Sequence, residues 1–453
     1  MSLSQGKPRG LTAAFGAFAA GFSDAPAAAL AVAKMGIIDG LGVMLAARNE
    51  PVVQSARAVL MEGMMSGQGA SVLLSNERAR AIDAAFINAT ATHAFAMDDV
   101  ASGCHPSAML MPALIAQGQV QGASGAEVLR AYVVGYELLA ELAAREPDPL
   151  HSTGWHPSGQ LGPVAVAGAV CNLMRLPADI STMAIGIAAS MTGGLFANFG
   201  TQTKPLHAGR ISSSGLLAAR LAQQGVNASR DALEREAGLL RTISPNKRAD
   251  ISGSFTRSAS DLRILTNGLC IKKYPVCYSL HRIADAAIDI AGLPGFDATQ
   301  VRQIDIALGK TQAWMADKHE PHSAQEAKYC VEFAVAAGLV ARAAGFAQLE
   351  PDFIEQPLVR QLLKAARISI RDDVSPDDTA FCSADRVVVH LHDGRVFDSG
   401  EVPFARGHAR LPLGEAELKL KFLDCVASSG RDDGAELFAR LQGFETLASV
   451  ALL

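Results

Sequence analysis

The chain has 453 residues, enough for two or three domains and a large core. Hydrophobic residues make up 49% and aromatics 6%, so the core is aliphatic and its helices must approach one another through Ala and Gly. A net charge of −5 with both signs dispersed excludes the basic footprint of a nucleic-acid-binding protein. Seven scattered cysteines without a CxxC pair read as reduced thiols in a cytoplasmic protein.

Taken in order, residues 1–25 hold only a short amphipathic piece. Ala27 to Ala47 is helical in period, and Pro51 to Met64 forms a shorter helix leading into the loop Ser66-Gly67-Gln68-Gly69. Asn76-Glu77-Arg78 opens a helix with Ile82, Ala85, Phe86, Ala89 and Thr92 on one side; it ends near His93, and the following loop delivers His105. Gly125-Ala126-Glu127 begins a long helix to about Arg145, after which a Pro/Gly loop delivers His156. Helices are predicted over 161–173, 179–197 and 212–223, with a more charged one over 231–244. No strand is expected before about residue 265, so 1–268 reads as an all-α domain. The N-terminus lacks a basic segment followed by an apolar run, so no secretory leader is expected. Apolar stretches are broken by Gly, Pro or charge before ~18 residues, so neither a membrane-spanning helix nor a membrane partner is expected.

The character changes after that. Extended pieces are predicted over 262–266 and 271–274, helices over 279–291 and 326–343, and strands over 301–307 and 368–370. A hairpin over 386–391 and 396–402 turns at Asp393-Gly394 and leaves His390 and His392 exposed. Residues 269–404 therefore read as a smaller α+β lid domain. Residues 405–453, with helices over 415–426 and 434–441, return to the first domain. The fold class is mainly α. A cleft between a large domain and a small one is a common ligand site.

Three basic residues each precede a proline at the start of an apolar helix: His105-Pro106-Ser107, His156-Pro157-Ser158 and Lys204-Pro205. Proline by itself favours the first helical turn. Three such steps together point to helix N-termini gathered over one anion, with Lys204 extended just before its helix. His207 lies one turn after Lys204. Asp98 and Asp99 either cap a turn or orient an imidazole and raise its pKa. Lys272, Lys273, Tyr274 and Cys277, with His281 one turn on, form either a solvated linker or part of the site. Ser158 sits at a helix start and belongs to no G-x-S-x-G motif, and Gly193-Gly194 reads as close helix packing rather than a phosphate loop. HExxH, EF-hand and Cys/His-quartet patterns are missing, so no metal and no organic cofactor are expected. Acid–base chemistry on a small carboxylate is what these residues suit.

Asp98-Asp99 before His105-Pro106-Ser107, then Gly154-Trp155-His156-Pro157-Ser158-Gly159, Thr203-Lys204-Pro205-Leu206-His207 and Lys273-Tyr274-Pro275, resemble the MmgE/PrpD family over about residues 27–425. The tail, with Arg406-Gly407-His408 and Glu417-Leu418-Lys419, fits too. The resemblance implies a helical domain with a lid, a homodimer, and metal-independent action on di- and tricarboxylates. It implies that His105, His156, Lys204 and Lys272 line the site. The chain departs from the family in carrying Ala96 where several members have an acidic residue, Val100 in place of Thr or Ser, and Cys277 where the decarboxylase has histidine. The expectation is a hydro-lyase of the 2-methylcitrate dehydratase type, with epimerase, decarboxylase and non-catalytic carboxylate-binding alternatives.

Overall fold

The computed structural model describes residues 10–62, 69–252, 255–376 and 381–452. It forms two compact units, Met1–Ala94 with Asp98–Leu269 and Ala416–Leu453, and Phe95–Met97 with Cys270–Glu415. The chain is mainly α.

The first unit is a stack of helices whose small residues set their spacing. Pro157–Leu173 packs on Gly125–Arg145, Pro106–Gln121 and Thr203–Gln223, and the last two pack on each other and on Ala81–Ala94. A Cβ added at Gly215 would stand 2.5 Å from the Cβ of Val166, so that crossing admits only glycine. Gly125–Arg145 starts at a capping box, Ser124 accepting from the Glu127 amide at 3.3 Å and Glu127 accepting from the Ser124 amide at 2.9 Å. The C-terminal helix Glu415–Ser428 places Lys421 2.5 Å from the buried Asp39, and Phe422 fills the space beside Gly42.

Ala27–Ala46 is a continuous 20-residue helix with mean hydropathy 1.7, by length and composition enough to cross a membrane. It is a core helix here, 67% of its apolar window being buried in the protein. Its glycines were expected to interrupt the run; instead they admit Leu269 and Phe422 at close range, so packing retains them inside the helix. Leu11–Gly21 is also a helix, where the sequence offered only a weak pattern.

Other expectations fail locally. Ala70–Ser71 and Arg78–Ala79 pair antiparallel, so the first unit is not wholly helical, and the next helix starts at Ala81 rather than Asn76. Most of the loop 66–69 lies outside the described residues. Residues 231–238 are turns and only Leu239–Ile243 is helical, because the charged segment has no continuous apolar face to bury. The helix from Ala178 stops at Ala189, with Phe196–Asn198 a single 3₁₀ turn. Arg263–Asn267 is a short helix and 271–274 joins no strand.

The second unit centres on a four-stranded sheet in the order Ala366–Arg371, Val301–Gly309, Arg386–Leu391, Val396–Asp398. The first pair is parallel and the others antiparallel. Val301, Ile304, Ile306 and Leu308 face a core that also takes the helices His281–Gly292 and Val331–Ala341. The Asp393-Gly394 hairpin forms, though its second strand ends at Asp398. His390 is half-buried and bonded to Asp305 at 2.8 Å across the strand pair, while His392 is exposed.

Candidate functional site

All three basic–proline steps lie in the first unit. His105 and His156 are the N-cap residues of Pro106–Gln121 and Pro157–Leu173, with non-helical backbone. Lys204 differs from expectation. The helix begins at Thr203, so Lys204 is already in its first turn. Proline at the third helical position forfeits only an amide that has no intrahelical acceptor, which lets the turn start before it.

Asp98 is fully buried and serves two imidazoles. Its carboxylate accepts from His93 Nδ1 at 3.0 Å and from His105 Nδ1 at 2.9 Å. The Asp99 carbonyl accepts from His105 Nδ1 as well, at 2.9 Å. Since these partners are acceptors, each Nδ1 carries the proton, and each Nε2 of the neutral ring keeps its lone pair. His93 Nε2 is buried and has no hydrogen-bond partner among the described residues. The Ser158 hydroxyl accepts from the His105 amide at 3.2 Å, so Ser158 braces the loop.

Asp99 does something else. It accepts from the Ser107 amide at 3.0 Å and the Ser107 hydroxyl at 2.6 Å, and Ser107 Oγ lies 2.7 Å from the Tyr132 hydroxyl. That caps the Pro106 helix. Burial, with Asp39 and Asp98 nearby, pushes the Asp99 carboxyl up to about 7, against the pull of the Ser107 bonds. Thus the Asp pair divides, one member holding histidines and the other a helix end.

Four imidazoles cluster. The His93 and His105 ring centroids are 4.5 Å apart, His93 and His156 stack at 6.0 Å, and His156 Nδ1 meets His207 Nδ1 at 3.0 Å. Burial lowers His93 to about 3 and takes His156 well below its ordinary value. His207 is lowered too, by burial and then by Lys204. The rings of His93, His156 and His207 are therefore neutral near pH 7. The Lys204 ammonium lies over the Phe199 ring, 4.8 Å from its centroid, close enough to act on three of the four histidines. The Gly193-Gly194 strap closes one side. Its Gly193 carbonyl would be 2.1 Å from a Cβ at Gly159, and a Cβ at Gly194 would press on His207 at 3.3 Å.

His93 was missed as a site residue because nothing around it resembles a motif. Its five-residue spacing to Asp98 across a helix end is the signal that could have found it. One ring nitrogen each from His93, His105 and His156 lies within 4.8 Å of the others, a set that could hold a metal ion. Spacings of 12 and 51 residues along the chain hide that set from pattern reading.

The remaining sequence candidates belong to the second unit. Lys272 is buried and its ammonium donates to the Ala96 carbonyl at 2.7 Å. Lys273, next to it, is half-buried. Tyr274 donates to Asp285 at 2.6 Å and packs on the His281 ring, whose Nε2 lies 3.3 Å from the Val276 carbonyl. The Cys277 amide donates to the Lys328 carbonyl, and its sulfur receives the Ser279 hydroxyl.

Residues 14–252 match the model of the MmgE/PrpD N-terminal domain and residues 274–442 that of the C-terminal domain. Cis-aconitate decarboxylase of Mus musculus is 28% identical over 363 residues, covering 75% of this chain and 70% of that protein. The human protein of the same name is 28% identical over 359 residues, covering 75% and 71%. The Aspergillus terreus cis-aconitate decarboxylase is 27% identical over 416 residues, covering 84% and 82%. With both domain models matched in order across most of its length, the chain belongs to the MmgE/PrpD family.

Proposed function

We propose that the chain is a lyase acting on a small di- or tricarboxylate by proton transfer at imidazole. The observation that carries this reading is the buried Asp98 carboxylate holding Nδ1 of both His93 and His105, which leaves unprotonated Nε2 atoms beside His156 and Lys204. A neutral imidazole so oriented can accept a proton at Nε2, and His105 is the less buried of the two rings. The ammonium and the nearby helix N-termini suit a carboxylate and the charge that grows on it as the α-carbon loses its substituent.

In a dehydration, His105 takes the α-proton, the electron pair forms the alkene, and the β C–O bond breaks with the hydroxyl leaving as water on the proton that His105 has gained, the neutral His156 ring hydrogen-bonding the departing oxygen. In a decarboxylation, the C–CO₂ bond breaks, the pair delocalises into the remaining unsaturated acid, and a proton taken up from solvent through His105 ends on the new carbanion. Dehydration of a 2-methylcitrate-like acid is the first reading, as the resemblance of the sequence motifs implies. The names of the relatives favour the second, decarboxylation of a cis-aconitate-like acid.

A panel of citrate, 2-methylcitrate, cis-aconitate and iminodisuccinate separates the two. Alkene absorbance without CO₂ marks dehydration, and CO₂ release marks decarboxylation. Exchange of solvent deuterium at the α-carbon without either would mark an epimerase. His105→Ala and His156→Ala are expected to lose at least about 10²-fold in kcat. Wild-type turnover in both variants would end the assignment.

A further inference from the structure

We infer that His93, His105 and His156 form a binding site for one divalent transition-metal ion of the zinc class, and that the metal-loaded protein is the inactive form. One nitrogen from each ring already lies within 4.8 Å of the others. Tetrahedral zinc with three Zn–N bonds of the usual length needs those nitrogens about 3.4 Å apart. From 4.8 Å, each pair closes by at most about 1.4 Å to reach that. Two further features point to a ligand rather than to packing. His93 Nε2 is a buried ring nitrogen without a hydrogen-bond partner among the described residues, on a side chain only 1% exposed. And Asp98 grips Nδ1 of both His93 and His105, the outer-carboxylate arrangement that fixes histidine ligands in other metal sites.

The donor set decides which ions. Three imidazoles without an inner carboxylate favour zinc, cobalt, nickel or copper over magnesium and calcium, which want oxygen. Lys204 opposes a cation, being near enough to depress His93 and His156, and the Asp98 charge offsets it. A metal on these nitrogens occupies the lone pairs that proton transfer needs. That consequence for turnover rests on the acid–base reading above; binding itself does not.

The test uses chelator-treated full-length protein titrated with cobalt chloride and followed by visible ligand-field absorption. One equivalent of four- or five-coordinate cobalt is expected, displaced by one equivalent of zinc. His93→Gln should weaken binding at least tenfold, and Asp98→Asn by roughly 10- to 100-fold. The variant His319→Ala/His322→Ala, at two exposed histidines of the second unit paired with Glu332 and Glu355, should bind as wild type does. No cobalt absorption, or identical affinity in His93→Gln, overturns the site. If His93→Gln does not fold, zinc-edge absorption of the wild type decides: two or three imidazole nitrogens on zinc support the site, and fewer overturn it. Zinc should also reduce turnover at least tenfold, reversibly with chelator. Tight binding without inhibition would leave the metal site standing and refute the acid–base reading instead.

Discussion

Asp98→Asn tests the link between the buried carboxylate and the imidazoles most directly. The substitution keeps shape and leaves one carbonyl oxygen for two N–H donors, 3.0 and 2.9 Å away in the wild type. The new amide turns N–H toward one of them, so one ring must flip its tautomer or lose its bond. A hydrogen bond to a charged group is worth about 1.5–3 kcal/mol, and losing that bias shifts the tautomer ratio about 10- to 100-fold away from an Nε2 lone pair. The carboxylate also stabilises the imidazolium formed in the transition state, by about 4 kcal/mol at contact distance in a medium of intermediate polarity. Their sum exceeds what one positioned acid–base group usually contributes, so the fall in kcat is capped by that contribution at about 10²- to 10⁴-fold. Stability should change little, since a buried charge is removed along with its bonds. The assay is steady-state turnover of the carboxylate identified in the panel, with nitrogen-detected NMR reporting which ring nitrogens of His93 and His105 carry protons. A variant that folds, keeps both Nδ1 protons and turns over within threefold of wild type refutes the reasoning.

Asp99→Asn provides the contrast. It should leave kcat within about fivefold while lowering stability by roughly 1 kcal/mol through the helix cap, read by urea unfolding. Lys421→Met strands the buried Asp39 charge and should cost about 3–5 kcal/mol, with Asp39→Asn/Lys421→Met recovering most of it; equal loss in the double variant would contradict the pairing. Stability should fall as pH drops from about 6.5 toward 4. His93 has a folded pKa depressed to about 3, so its contribution is whole above the unfolded value and is lost on acidification, at roughly 1.4 kcal/mol per pH unit. Asp99, raised to about 7, acts in the opposite sense between about 4 and 7, so Asp99→Asn should steepen the acid limb of the urea midpoint profile and His93→Gln should flatten it. Ala96 has φ +53°, a conformation that aspartate tolerates better than alanine. Ala96→Asp should therefore not destabilise the fold, and is expected to raise cis-aconitate turnover about tenfold, worth about 1.4 kcal/mol of barrier; an unchanged rate in a wild type already efficient on cis-aconitate would refute it.

The sequence by itself determined the family, the mainly helical class and most long helices. Periodicity and local caps act over one element, so the chain segment carries its own signal: Gly125–Arg145 starts where its Ser/Glu box says, and the Asp-Gly hairpin turns where expected. It also marked His105 and His156 as helix starts, because a residue before a helix-opening proline is itself a local signal. It could not choose between the two roles open to Asp98 and Asp99. Neighbours in the chain, they point to different partners, one to His93 and His105 and the other to Ser107, and only packing distinguishes them. The same holds for the unbroken Ala27–Ala46 helix, where close neighbours occupy the space its glycines leave. His93 illustrates the difference most sharply. Nothing local marks it, yet burial, the Asp98 bond and two other rings from distant helices give it its chemistry, and those are properties of the folded assembly of helices rather than of any stretch of chain.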